Sequence, residues 1–124
     1  MAISSQTENH SDSKKQNSPT SACEENCIEC FRVCNETIRS CLEKGGKHAN
    51  SDHINMLIDC ARICQTSADF LSRSSDSHRV TCEACKKICE KCAEDCRKMS
   101  DKEMIYCAEM CEKCVKSCEK MLAH

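Results

Sequence analysis

The chain is poor in the side chains that usually build a protein interior. It has no Trp, one Tyr and two Phe in 124 residues. Val, Ile, Leu and Phe together number 17, against 31% charged residues. That balance normally marks a chain unable to bury enough apolar surface to fold. Two Gly and one Pro leave few turn formers, which excludes an all-β sandwich or barrel. No apolar run approaches membrane-spanning length. An excess of one charge is missing too: the net charge is -2, with both signs interspersed. The sequence therefore carries no electrostatic footprint for nucleic acid or an anionic membrane. Residues 1–20 lack both the apolar stretch of a secretory signal and a twin-Arg pair, so the expected compartment is the cytoplasm.

Cysteine is what the chain has instead: 16 of 124 residues. In a reducing compartment such density points to metal binding more than to a disulfide framework. Length allows one domain. Residues 1–20 are polar and read as a disordered tail. Residues 21–124 read as four helical segments. The first runs from about Ala22 to Lys44, opened by a Ser21/Glu24 capping box and closed by Gly45-Gly46. The second runs from about Asp52 to Ser72, and a Ser-rich break follows. The third spans about His78 to Met99. The fourth opens at Ser100-Asp101-Lys102-Glu103, a second capping box, and runs to about Ala123. Glu83/Lys87, Glu94/Lys98, Glu109/Lys113 and Glu112/Lys116 are spaced to pair along the outer faces. Similar helix lengths and short connections predict an all-α, antiparallel up-down-up-down four-helix bundle.

The cysteines define its inner seam. The first segment carries Cys23, Cys27, Cys30, Cys34 and Cys41, with Thr37 or Ile38 filling the gap. The second carries only Cys60 and Cys64, its seam completed by His53, Leu57, Ser67 and Leu71. The third carries Cys82, Cys85, Cys89, Cys92 and Cys96, and the fourth Cys107, Cys111, Cys114 and Cys118. Steps of three and four residues place each set on one helical face turned to its partners. Free cysteine packs as a small hydrophobe. Leu in its place would stabilise each site by about 1 kcal/mol more on buried area alone. A seam made almost wholly of thiols therefore points to chemistry.

Several chemistries are open to such a seam. Disulfides within a helix are geometrically poor at these spacings, although bridges between helices remain. The ferredoxin cysteine run is absent. Zinc in all-thiolate tetrahedral sites would bury a net charge of about -8, with no Lys or Arg on the seam to offset it. Metallothionein-like C-C and C-x-C spacings do not occur. Cu(I) is soft, favours thiolate and accepts low coordination numbers. One Cu(I) per thiolate gives a neutral interior, and its binding displaces thiol protons.

The C-x3-C-x2-C-x3-C run of the first segment, the C-x2-C-x3-C-x2-C-x3-C run of the third and the C-x3-C-x2-C-x3-C run of the fourth resemble those of the bacterial copper storage proteins. The resemblance covers about residues 21–123. It implies a preformed bundle storing many Cu(I) ions on its core cysteines, all sixteen here, commonly as a homotetramer, and the missing signal places the chain with the cytoplasmic form. No nucleophile–base–orienter set is visible, so no enzymatic activity is expected, and a copper chaperone is an expected partner. A disulfide-stapled or thiol-redox helical protein, or a zinc buffer, stays open beside it. Extending the seam past the cysteines brings His53, Met99 and Met104 to one end, flanked by Met56. Imidazole and thioether there suit ions on their way in, and the resemblance also implies Met and His near one open end. His78 and Met121 fall at the other end. His10, His48 and His124 read as solvent-exposed. Phe31, Ile38 and Leu42 on the first segment, and Met56, Ile63 and Phe70 on the second, form outer apolar strips suited to packing or to a subunit interface.

Overall fold

The computed structural model describes residues 18–123. The expected tail therefore lies almost wholly outside the described residues, as do His10 and His124. Four helices follow in order: α1 (Pro19–Lys44), α2 (Ser51–Ser72), α3 (His78–Cys96) and α4 (Lys102–Ala123), with a short 3-10 turn, Gly46–Ala49, between α1 and α2. No strand occurs among the described residues. Each helix packs against its two neighbours around a ring, α1 on α2 and α4, α3 on α2 and α4. The diagonal pairs α1–α3 and α2–α4 stand apart across the core. This is the expected up-down-up-down bundle.

Helix boundaries follow local chemistry. α1 starts earlier than the Ser21/Glu24 pair suggests: Ser18 is the cap, its hydroxyl accepting from the Ser21 amide at 3.0 Å, and Pro19 fills the first helical position. Proline there loses no helical hydrogen bond. α1 ends at Gly45 and Gly46, at φ 70 and 57, a region glycine enters without steric cost. Asn50 caps α2 by accepting from the Asp52 amide at 2.9 Å. α2 closes with the amides of Ser74 and Ser75 returning to Leu71 and Phe70 carbonyls at 3.1 and 3.0 Å, with Ser74 at φ 55. That is a Schellman closure with serine in the left-handed position.

α3 stops at Cys96, not at Met99. The amides of Lys98 and Met99 bond to Asp95 and Cys96, three residues back, so the last turn tightens out of the α-helix. At the start of α4 the Asp101 carbonyl accepts the first helical bond, from Ile105. The Asp101 carboxylate serves tertiary structure, reaching Lys44 and His48 at 3.0 Å each. Of the expected surface pairs, Glu83–Lys87 forms at 3.3 Å. Glu112 instead holds Arg97, the residue after α3, through two 2.7 Å bonds, and Lys98 approaches Asp95 rather than Glu94.

The interior is built of cysteine, Ala, Leu57, Leu71, Val33, Met104, Met110 and Met121. Thr37 fills the gap in the α1 seam, its hydroxyl bonded to the Val33 carbonyl at 2.7 Å. Phe31, Ile38, Met56 and Ile63 pack against the core from its margin, whereas Leu42 lies 57% exposed.

Candidate metal centre

All sixteen cysteines are fully buried and free. The four seams turn them toward one axis. Cys27–Cys114, Cys30–Cys111, Cys60–Cys89 and Cys64–Cys85 face one another across helix pairs at 3.7 to 3.8 Å between sulfurs. Cys64 lies 3.6 Å from Cys89, and Cys85 lies 3.8 Å from both Cys89 and Cys114. A disulfide needs about 2.05 Å, so these are open thiol contacts.

The sulfurs form a continuous column. Cys27, Cys85, Cys114 and Cys118 make one four-sulfur group, all within 4.8 Å of one another. Cys64, Cys85, Cys89 and Cys114 make the next, then Cys30, Cys60, Cys64 and Cys89. Cys30, Cys34, Cys60 and Cys111 follow, and then Cys34, Cys92, Cys107 and Cys111. Each group shares two thiols with the one after it, and each draws on three helices. With metal–sulfur bonds of about 2.3 Å, two sulfurs on one trigonal or tetrahedral ion stand roughly 3.8–4.0 Å apart. The column already has that spacing. A shared thiolate can bridge neighbouring ions, so the arrangement suits a chain of clusters better than isolated sites.

Cys23, Cys41, Cys82 and Cys96 stand outside these five groups, toward the ends of α1 and α3. Cys23 meets Cys118 at 3.9 Å, and Cys82 meets the Ser67 hydroxyl at 3.9 Å. At the far end Cys41 Sγ lies 3.4 Å from His53 Nε2 and 3.9 Å from Met104 Sδ. His53 Nδ1 contacts the Asp95 carboxylate at 2.5 Å. An imidazole held by a carboxylate on one nitrogen presents the other to a metal or a thiol in fixed orientation. The structure thus brings together Cys41, His53 and Met104. Met56 and Met99 are half-buried and pack against the core margin. Asp95 was not among the sequence candidates. Its signal is positional: three residues after Cys92 and one before Cys96, it borders the seam. His48, expected in solvent, is half-buried against Asp101.

Residues 16–123 match the profile of the copper storage protein family. This chain belongs to that family. Two solved structures share its fold at TM-score 0.80. One is the Nmul_A1745 protein from Nitrosospira multiformis, 37% identical, over 85% of this chain and 95% of that one. The other is the Cu(I)-bound copper storage protein BsCsp3, 31% identical, over 85% of this chain and 99% of that one. A cytosolic copper storage protein from Streptomyces lividans, in a structure loading five coppers, is 27% identical, over 86% of this chain and 93% of that one, at TM-score 0.80. A cysteine-rich protein of Bacillus subtilis, YhjQ, is 33% identical over 67 residues. The matched stretch spans 62% of that relative.

For a copper storage protein the protonation of the thiols matters, since each must lose its proton to bind. Burial pushes the Cys41 thiol up to about 11, with the nearby Lys44 charge opposing. Thiols that accept hydrogen bonds are held down, Cys27 in the column by Cys114 and Cys82 at its end by Cys118. No lysine or arginine is buried among the described residues. The charge that balances a deprotonated column must therefore come from bound cations.

Proposed function

We infer that the protein binds and stores many Cu(I) ions on its core thiolates. The observation that carries this is the shared-thiol column, fully buried and, among the described residues, without a buried lysine or arginine. Thiolate selects soft ions, and one Cu(I) per thiolate leaves the interior neutral. Zinc in four-thiolate sites would leave each buried site with two uncompensated negative charges, costly in so dry a core. The sixteen free thiols favour storage over a disulfide-stapled scaffold. Thiols buried this completely favour storage over catalysis. The cytosolic Streptomyces relative supports a cytoplasmic location. Exposed Ile28, Leu42, Val80 and Tyr106 support a homo-oligomer, the tetramer that the family resemblance implies. A copper-carrying protein is its expected supplier.

His53 and Met104, with Met99 and Met56 on the flank, form an entrance for copper at the Cys41 end. Replacing His53, Met99 and Met104 together is expected to slow Cu(I) loading, followed by stopped-flow from a chromogenic chelator, while final capacity stays nearly the same. Unchanged loading kinetics would remove the entrance from this reading.

A further inference from the structure

The end of the bundle opposite His53 carries a second set of copper donors. α1 begins there, α2 ends, α3 begins and α4 ends. All four corners contribute to one cleft of about 130 Å3, with Thr20, Leu71, His78 and Met121 among its walls and Asp76 on its rim. Each of these four wall residues stands one helical turn from a residue of the terminal layer of the core. Thr20 is three before Cys23, Leu71 four after Ser67, His78 four before Cys82 and Met121 three after Cys118. Side chains at such spacings stack on one helical face, so the cleft sits directly over that layer. Cys118 in turn belongs to the first four-sulfur group.

Two walls of the cleft offer metal donors, and both are held in place. His78 Nδ1 donates to the Ser75 carbonyl at 2.9 Å. A carbonyl only accepts, so the neutral ring keeps its Nε2 lone pair for a metal. Met121 is 7% exposed. The last turn of α4 is fastened to the first turn of α3 by Arg79, which donates to the Met121 and Leu122 carbonyls at 3.4 and 2.7 Å. Arg79 adjoins His78, so the same bonds keep imidazole and thioether beside one opening. The Asp76 carboxylate adds a negative charge that attracts a cation.

We propose that His78 and Met121 form a second Cu(I) port, which feeds the column from the end opposite His53. The proposal rests on the storage reading and adds a route to it. Two neutral donors hold Cu(I) more weakly than thiolate does, so the ion passes inward to Cys118, Cys23 and Cys82. No electron is exchanged, and each thiol that takes the ion releases one proton to water through the cleft.

Methionine methyl groups report on both ends in one sample. The test is an anaerobic Cu(I) titration of the reduced full chain labelled at the methionine methyls, read by NMR, with stopped-flow loading alongside. The Met121 methyl is expected to shift within the first equivalents, as early as that of Met104. The variant His78→Gln/Met121→Leu is expected to load at no more than about half the initial rate, losing at most the one ion held at the port. In a His53→Ala/Met104→Leu background the same pair is expected to slow loading at least ten-fold. A Met121 methyl that stays unmoved through normal full loading would overturn the port while leaving storage intact. So would a wild-type loading rate in the His78→Gln/Met121→Leu variant. Saturation of the wild type at one or two ions would overturn the storage reading itself. The wild-type methyl signals need no variant to fold.

Discussion

The middle of the bundle and its two ends are built on the same four seams from different atoms. From Cys27 to Cys107 the interior offers sulfur alone, in groups that share thiols from one to the next. At the ends the shared pattern gives way to mixed donors. Cys41 faces an imidazole and a thioether, and Cys82 faces a hydroxyl. The middle is dry and anionic once deprotonated, which suits retention of many soft cations. The ends hold neutral donors of lower affinity, which suit exchange. On the proposed reading, capacity and traffic are separated along one axis.

The strongest way to break this comparison is to interrupt the middle. Cys60 and Cys64 are the only thiols on α2, and between them they belong to three of the five overlapping groups described above. Cys60→Ala/Cys64→Ala is expected to lower capacity by clearly more than the two ions that thiol count alone would remove. The matched end pair, Cys23→Ala/Cys82→Ala, should lose no more than about two. Equal losses in anaerobic titrations would mean that the thiols act independently and that sharing has no consequence. A second effect concerns stability. The apo core lacks the area that Leu and Phe would bury, and binding to the folded state alone stabilises it by linkage. Copper loading is expected to raise the Tm on the order of 20 °C, from a few kcal/mol of linkage in a small domain. A thermal scan without gain would contradict a core completed by metal.

Much of this is legible in the sequence. Cysteines at steps of three and four mark four seams and their inward faces, because a 3.6-residue period leaves one face for them, and the short connections point to the up-down-up-down order. His53, Leu57, Ser67 and Leu71 took their seam positions on α2 as expected. The rest depended on contacts that spacing does not encode. Ser18 outcompeted Ser21 as the cap because Pro19 already fits the first helical position. Glu112 left its neighbour Lys116 for Arg97 because two helices bring a bidentate partner within reach. Asp95 gained its role from His53 on α2, and His48 from Asp101 just before α4, both far away in sequence.

The smallest expected effect lies at the outer margin of the His53 end. Hydrogen bonding from His48, then from Lys44, holds Asp101 down to about 2 from an ordinary 3.8. A depressed carboxylate contributes stability above its unfolded value and loses it as pH falls through the folded one. The contribution is therefore full above about pH 4 and lost toward pH 2. After allowance for solvent screening it amounts to about 1 kcal/mol. Asp101→Asn should cost about that much in denaturant melts at pH 7, and almost nothing at pH 2. A cost independent of pH would place its role elsewhere.

The central claim is that the sixteen buried thiols act as one copper store. The most direct measurement is an anaerobic Cu(I) titration of the fully reduced protein against a competing chelator. Saturation is expected near one Cu(I) per thiol, sixteen for the chain. Saturation at one or two ions would contradict it.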